Sequence, residues 1–306
     1  MDPSGKKTQQ ESYIKLSYSA EDDPKLKKLL ISTIEFLTGR RKLEKLYNEI
    51  DSLGLRAGPL WEEILRRLDI NIVYDQAQIQ KVPEKGPLVF IANHPFGVVD
   101  GLILGSLGAR VRNNFFVLAN EVLCKDKLLN QHLLPIDFRD TKEALQTNID
   151  TKNKSLEKLR NGDIMIIFPA GGVATAPTLL GKAEDLDWKR FVIKVIQKTR
   201  ATVVPIFVHG QNSRLFQIAS HINMNLRLSL LLNEVRNKIG QDVLLSIGDP
   251  IAFEMIEHIK DRQALLDHLR EITYQLEEKK ILTKSRMKIK LKLPKAFSRE
   301  KSIKDQ

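Results

Sequence analysis

Residues 93 to 100 read Asn-His-Pro-Phe-Gly-Val-Val-Asp, an imidazole and a carboxylate six positions apart, directly after the apolar run Leu88 to Ala92. The run reads as a strand; Pro95 and Gly97 stop it, and Asp100 falls in the first turn of the helix that follows, where a carboxylate suits the helix dipole. Side chains on a helix lean toward its N-terminus, so Asp100 can reach back to His94. An imidazole whose Nδ1–H is held by a carboxylate presents a basic Nε2 in a fixed direction, which is what removing a proton from an alcohol requires. The chemistry would be general-base catalysis. The same two residues also read as a helix cap and an ordinary first-turn acid.

Other chemistry-bearing residues follow strands too. Phe168-Pro169-Ala170-Gly171-Gly172-Val173-Ala174-Thr175 holds adjacent glycines whose backbone N–H groups could approach an oxyanion or phosphate, or form a plain turn. It is no Walker A loop, lacking the Gly-Lys-Ser/Thr ending. Asn212, Ser213 and Arg214 gather an amide, a hydroxyl and a guanidinium that could read a polar ligand, although a helix N-cap by Asn212 or Ser213 explains them equally well. Cys124 follows Val122-Leu123 with no identifiable base, no serine lies in a Gly-x-Ser-x-Gly elbow, and the six histidines show no metal-ligand spacing, so no metal site is expected. Trp61 and Trp188 read as packing residues.

Short β-rich runs position these groups: Ile70 to Tyr74, Leu88 to Ala92, Phe115 to Ala119, Ile164 to Phe168, Thr202 to Val208 and Val243 to Ile247. They do not alternate, and crossovers long enough for helices separate them, with helical patterns at 100–108, 141–159, 187–198, 213–219, 225–238 and 261–279. An α/β fold with a mostly parallel sheet flanked by helices is expected. Ligands of such folds sit beyond the carboxyl ends of the strands, where His94 falls. Before the sheet, apolar periodicity through Leu26, Leu29, Leu30, Ile34 and Leu37, then Leu43 to Ile50, then Leu60 to Leu68, gives an N-terminal helical leader. The expected divisions are a flexible arm at 1–23, the leader at 24–69, the main domain at 70–278 and a basic C-terminal tail at 279–306.

The 306 residues are 42% hydrophobic and 28% charged, which excludes global disorder. Of the formal net charge of +11, most lies in the tail, where eleven basic residues face only Glu300 and Asp305; the body is close to neutral. The tail alternates cations with apolar residues, notably over Lys288 to Leu293, and reads as an edge strand, a solvated tail or a segment lying on an anionic membrane surface. It carries one aromatic residue and no nucleic-acid motif, so no nucleic acid is expected as a partner. A single cysteine excludes an internal disulfide framework and fits a reducing compartment. No apolar run approaches the roughly 18 residues that span a bilayer, and no secretory signal begins the chain.

Four blocks in order, Asn93-His94 with Asp100, Arg139 after Pro135-Ile136-Asp137-Phe138, Phe168-Pro169-Ala170-Gly171-Gly172 and Val203-Val204-Pro205-Ile206, resemble those of the PlsC-like lysophospholipid (1-acylglycerol-3-phosphate) acyltransferases. Asn93 to Gly97, Phe168 to Gly171 and Gly210 to Phe216 are similar to its hemolysin-like branch, over about residues 25 to 255. The resemblance implies a peripheral enzyme on the cytoplasmic membrane face, with no bound cofactor, that moves an acyl chain from acyl-CoA or acyl carrier protein to the hydroxyl of a lyso-lipid acceptor without a covalent acyl-enzyme. His94 would be the base and Asp100 its orienting acid; Asn93, Gly97, Arg139, Phe168, Pro169, Gly171, Gly172, Asn212 and Ser213 would meet substrate, Arg139 at the acceptor's head group. Two departures stand out. Five residues separate His94 from Asp100 instead of the commoner four, and Ala170 with Gly172-Val173 replace the usual Glu and Thr-Arg of the third block, which leaves the acceptor, lysophosphatidate or an acylated amino acid, open. The rival reading is a non-catalytic lipid-surface binding protein that keeps the fold.

Overall fold

The computed structural model describes residues 40–121, 123–125, 127–178, 181–222 and 224–278. The expected arm, the leader up to Leu37 and the basic tail lie outside the described residues. Seven strands form one sheet: β1 (Asn71–Val73), β2 (Leu88–Ala92), β3 (Phe115–Asn120), β4 (Leu133–Ile136), β5 (Ile164–Ile167), β6 (Thr202–Val208) and β7 (Asp242–Ile247), in the order β1-β7-β6-β2-β5-β3-β4. All neighbours pair in parallel except β6 and β7, which are antiparallel. The fold is therefore α/β with a mostly parallel sheet.

Eight helices accompany it among the described residues, besides single turns: α1 (Arg40–Asp51), α2 (Ala57–Arg67), α3 (Val98–Val111), α4 (Lys142–Arg160), α5 (Phe191–Thr199), α6 (Arg214–Ile222), α7 (Met224–Lys238) and α8 (Arg262–Gln275). Side chains alternate across a strand, and in β2 both faces are apolar. Leu88, Phe90 and Ala92 enter a core shared with α1, α2, α3 and α7, while Val89 and Ile91 enter a second core under α4, α5 and α8. All five residues of β2 are fully buried, and each large side chain contributes about 1.5–3 kcal/mol.

One detail departs from the expected elements. β4 was not among the strand-like runs, because it is four residues long and contains Pro135; as an edge strand it has no outer ladder for a proline to break. Pro205 sits inside β6, where the antiparallel pairing with β7 ends at Ile206 opposite Ile247.

The leader helix α2 packs directly on α3. Trp61, fully buried, lies over Gly105, where an added Cβ would stand 2.2 Å from the indole ring. Only glycine lets the two helices approach this closely, and α3 is the helix whose first turn carries Asp100.

Candidate active site

Strands β2 to β6 run the same way, so their carboxyl ends bring residues 93–100, 168–175, 137–139 and 209–213 to one end of the sheet. At the turn after β2, Gly97 takes φ +78°, a left-handed conformation that glycine adopts without steric cost. The turn points Asp100 back into the loop. Its Oδ2 lies 2.9 Å from His94 Nδ1 and also accepts the backbone N–H groups of Phe96 at 2.8 Å and Gly97 at 2.9 Å. Asp100 is fully buried and its Oδ1 has no partner among the described residues. The His94 ring stacks on Phe168 with centroids 4.1 Å apart, and 16% of its side chain is exposed.

Asn93 does not aim its amide outward. Its Nδ2–H donates to Val208 O at 3.0 Å, and its Oδ1 accepts Val208 N–H at 2.7 Å, clamping the end of β2 to the end of β6. Gly97 is packed shut: a Cβ there would meet Val173 at 3.0 Å and Leu231 at 3.2 Å. Phe168 and Pro169 are buried beneath the site. Gly171, at φ +68°, spends its N–H on Phe168 O at 3.0 Å, so the expectation that both glycine N–H groups are available narrows to Gly172, which donates to nothing among the described residues. Ala170 lies in the second core, which accounts for an apolar residue at that place.

The 137–139 block reaches the glycines through Phe138, whose ring would stand 2.9 Å from a Cβ on Gly171. Arg139 itself is 63% exposed and paired with Asp137 and Glu121, and its guanidinium holds the Asp137 carboxyl down to about 2. Ser213 behaves as the helix cap: its Oγ donates to Glu234 Oε1 at 2.6 Å and accepts Phe216 N–H. Asn212 is only 2% exposed, and neither amide atom finds a partner among the described residues.

One buried carboxylate stands outside the residues expected from the sequence. Asp185 Oδ1 accepts the backbone N–H of His94 at 2.9 Å, and its Oδ2 accepts Trp188 Nε1–H at 2.9 Å. Burial pushes its carboxyl above the usual range, against the hydrogen bonds from Trp188 and His94. Its own N–H donates to the Tyr274 hydroxyl at 3.1 Å, and nearby Lys182 pairs with Glu277, so the segment 181–190 is strapped to the end of α8. Asp-x-x-Trp is a faint signal, and the partner lies 91 positions away.

An imidazole held on a buried carboxylate at the carboxyl end of a mostly parallel sheet is an arrangement that can take a proton from a hydroxyl. The family model described as Acyltransferase matches residues 63–281, and the chain belongs to that family. It is 27% identical over 258 residues to a lyso-glycine lipid O-acyltransferase of Bacteroides thetaiotaomicron, covering 81% of this chain and 90% of that protein. It is 29% identical over 207 residues to a lyso-glycine lipid O-acyltransferase of Phocaeicola vulgatus, covering 65% of this chain and 71% of that protein. The crystal structure of the 1-acyl-sn-glycerophosphate acyltransferase PlsC from Thermotoga maritima aligns with 84% of this chain and 98% of its own, at 16% identity and a TM-score of 0.46. Among the described residues no helix is long and apolar enough to cross a membrane.

Proposed function

We propose that this acyltransferase moves a fatty acyl chain from a thioester of coenzyme A or acyl carrier protein to the hydroxyl of a lyso-amino lipid of the lyso-glycine type, and not to lysophosphatidate. His94 Nε2 takes the hydroxyl proton as the oxygen attacks the thioester carbonyl; Asp100 orients the ring and stabilises the imidazolium. Collapse of the tetrahedral intermediate breaks the C–S bond, and the proton passes to the departing thiolate. The Gly172 N–H is the donor offered to the developing oxyanion. No covalent acyl-enzyme is needed. The observation that carries the mechanism is the 2.9 Å contact of His94 Nδ1 with a buried carboxylate that leaves Nε2 free. The acceptor reading rests on the two relatives, whose names specify lyso-glycine lipid.

The enzyme works at an anionic membrane face, with the basic tail as the docking segment. The test is acyl-thioester consumption by the purified chain with lyso-glycine lipid or lysophosphatidate as acceptor. Turnover with the first and not the second is expected. Thioester hydrolysis independent of any acceptor, or none at all, would sink the reading and favour the non-catalytic binder.

A further inference from the structure

One stripe of α7 faces the site. Arg227, Leu231, Glu234 and Lys238 follow one another at helical spacing, and each touches a site element: Arg227 Nη2–H donates to Val173 O at 2.5 Å, Leu231 packs at Gly97, Glu234 holds Ser213, and Lys238 lies 3.9 Å over the Phe96 ring. The two cations differ. Lys238 lies within the field of Glu234 and Asp100, whereas no carboxylate among the described residues faces Arg227. Its guanidinium is half-buried, leans on the Phe216 ring at 5.6 Å and uses one N–H on Val173, leaving four donors in a planar fork. Burial alone lowers its pKa, the mark of a cation whose hydration has been removed without a counter-charge in return.

The place of this guanidinium is specific. The peptide group whose carbonyl it holds, Val173–Ala174, donates its N–H to His94 O at 2.8 Å, so a single peptide unit separates Arg227 from the main chain of His94. Val173 directly follows Gly171-Gly172. Resting on the acceptor reading above, we propose that Arg227 is the residue that receives the acceptor's free carboxylate, pairing with it through the fork and so bringing the acceptor's hydroxyl to His94. A glycine head group ends in such a planar anion, and Arg matches it bidentately.

The full chain is assayed with lyso-glycine lipid and with its methyl ester, as wild type, R227Q and R227K. Gln keeps an N–H for the Val173 carbonyl but has no charge; Lys keeps the charge without the fork. The wild type should prefer the free acid in kcat/KM, and R227Q should lose roughly tenfold or more of that preference through a raised KM for the acid, the effect of one charge-assisted hydrogen bond. R227K should retain part of it. Equal use of acid and ester by the wild type, or an unchanged ratio in R227Q, overturns the assignment while leaving the acceptor reading intact. Binding is read in parallel as the rise in Tm caused by N-palmitoylglycine against its methyl ester. If the wild type acylates neither acceptor, the acceptor reading falls, and a carboxylate-dependent rise in Tm that R227Q abolishes still supports Arg227. Absence of that rise removes the assignment as well.

Discussion

The Oδ1 of Asp185 accepts the backbone N–H of His94 at 2.9 Å, so His94 is held by two buried carboxylates, Asp100 on its ring and Asp185 on its main chain. Asp100 and the stacked Phe168 ring orient the imidazole, while Asp185 fixes the peptide from which it hangs. Positioning of this kind contributes to rate without touching substrate.

Asp185→Asn should lower kcat and lower stability by about 1–3 kcal/mol, since an amide cannot accept from both His94 and Trp188. Burial raises the folded-state pKa of Asp185 above its unfolded value, so folding binds its proton. That contribution is full below the unfolded carboxylate pKa and is lost as pH rises through the folded value. The stability difference between wild type and the non-titrating Asn variant should therefore shrink with rising pH across this window, read from urea midpoints. A pH-independent difference would show that Asp185 does not titrate there.

His94→Ala should lose roughly 10²-fold or more of acyl transfer, the usual worth of a positioned general base, while staying folded. Asp100→Asn should lose less, because an oxygen acceptor remains for the loop N–H groups. Normal thioester release by the Ala variant would refute the proposed mechanism.

Gly105→Ala should destabilise the protein by about 1–3 kcal/mol through overpacking against Trp61. The displaced indole should emit further to the red, and Tm should fall. An unchanged Tm would mean that α2 does not rest on α3 as described.

Cys124→Ser should leave turnover nearly intact. Burial, with Glu121 nearby, pushes the thiol up to about 11, so it stays protonated and unreactive at neutral pH. An acyl adduct on Cys124 in intact-mass spectra would contradict this.

Deleting residues 284–306 should weaken sedimentation with anionic vesicles, and added salt should mimic the deletion, because charges beyond roughly 10 Å are screened at 0.1 M. Activity on detergent-dispersed substrate should change little. Equal, salt-insensitive binding by both chains would assign docking to other segments.

What could be read from the sequence was local. The β2 strand, its Pro-Phe-Gly stop and the first turn of α3 lie within 13 residues, and helix geometry alone brings Asp100 toward His94. The mostly parallel class was legible because apolar runs of five to seven residues recur with helix-length gaps. The reversal of β7 was not, since an apolar run carries no direction, and β4 was hidden by Pro135. Asp185 and Arg227 were invisible for another reason. Their roles exist only once chain segments 91 and 54 positions away are brought to them, and nothing in their immediate neighbours marks them.

The lacing of segment 181–190 to the end of α8, through Tyr274 to Asp185 and Glu277 to Lys182, also ties the last described residues to the carboxylate that holds His94. Residues 279–306 follow directly on Glu278, so whatever they bind is joined to this junction through at most roughly 95 Å of chain. A tether sets an effective concentration at its point of attachment that falls as the span grows. If the tail docks on lipid as proposed, its length would tune how often the His94 end of the sheet meets that surface.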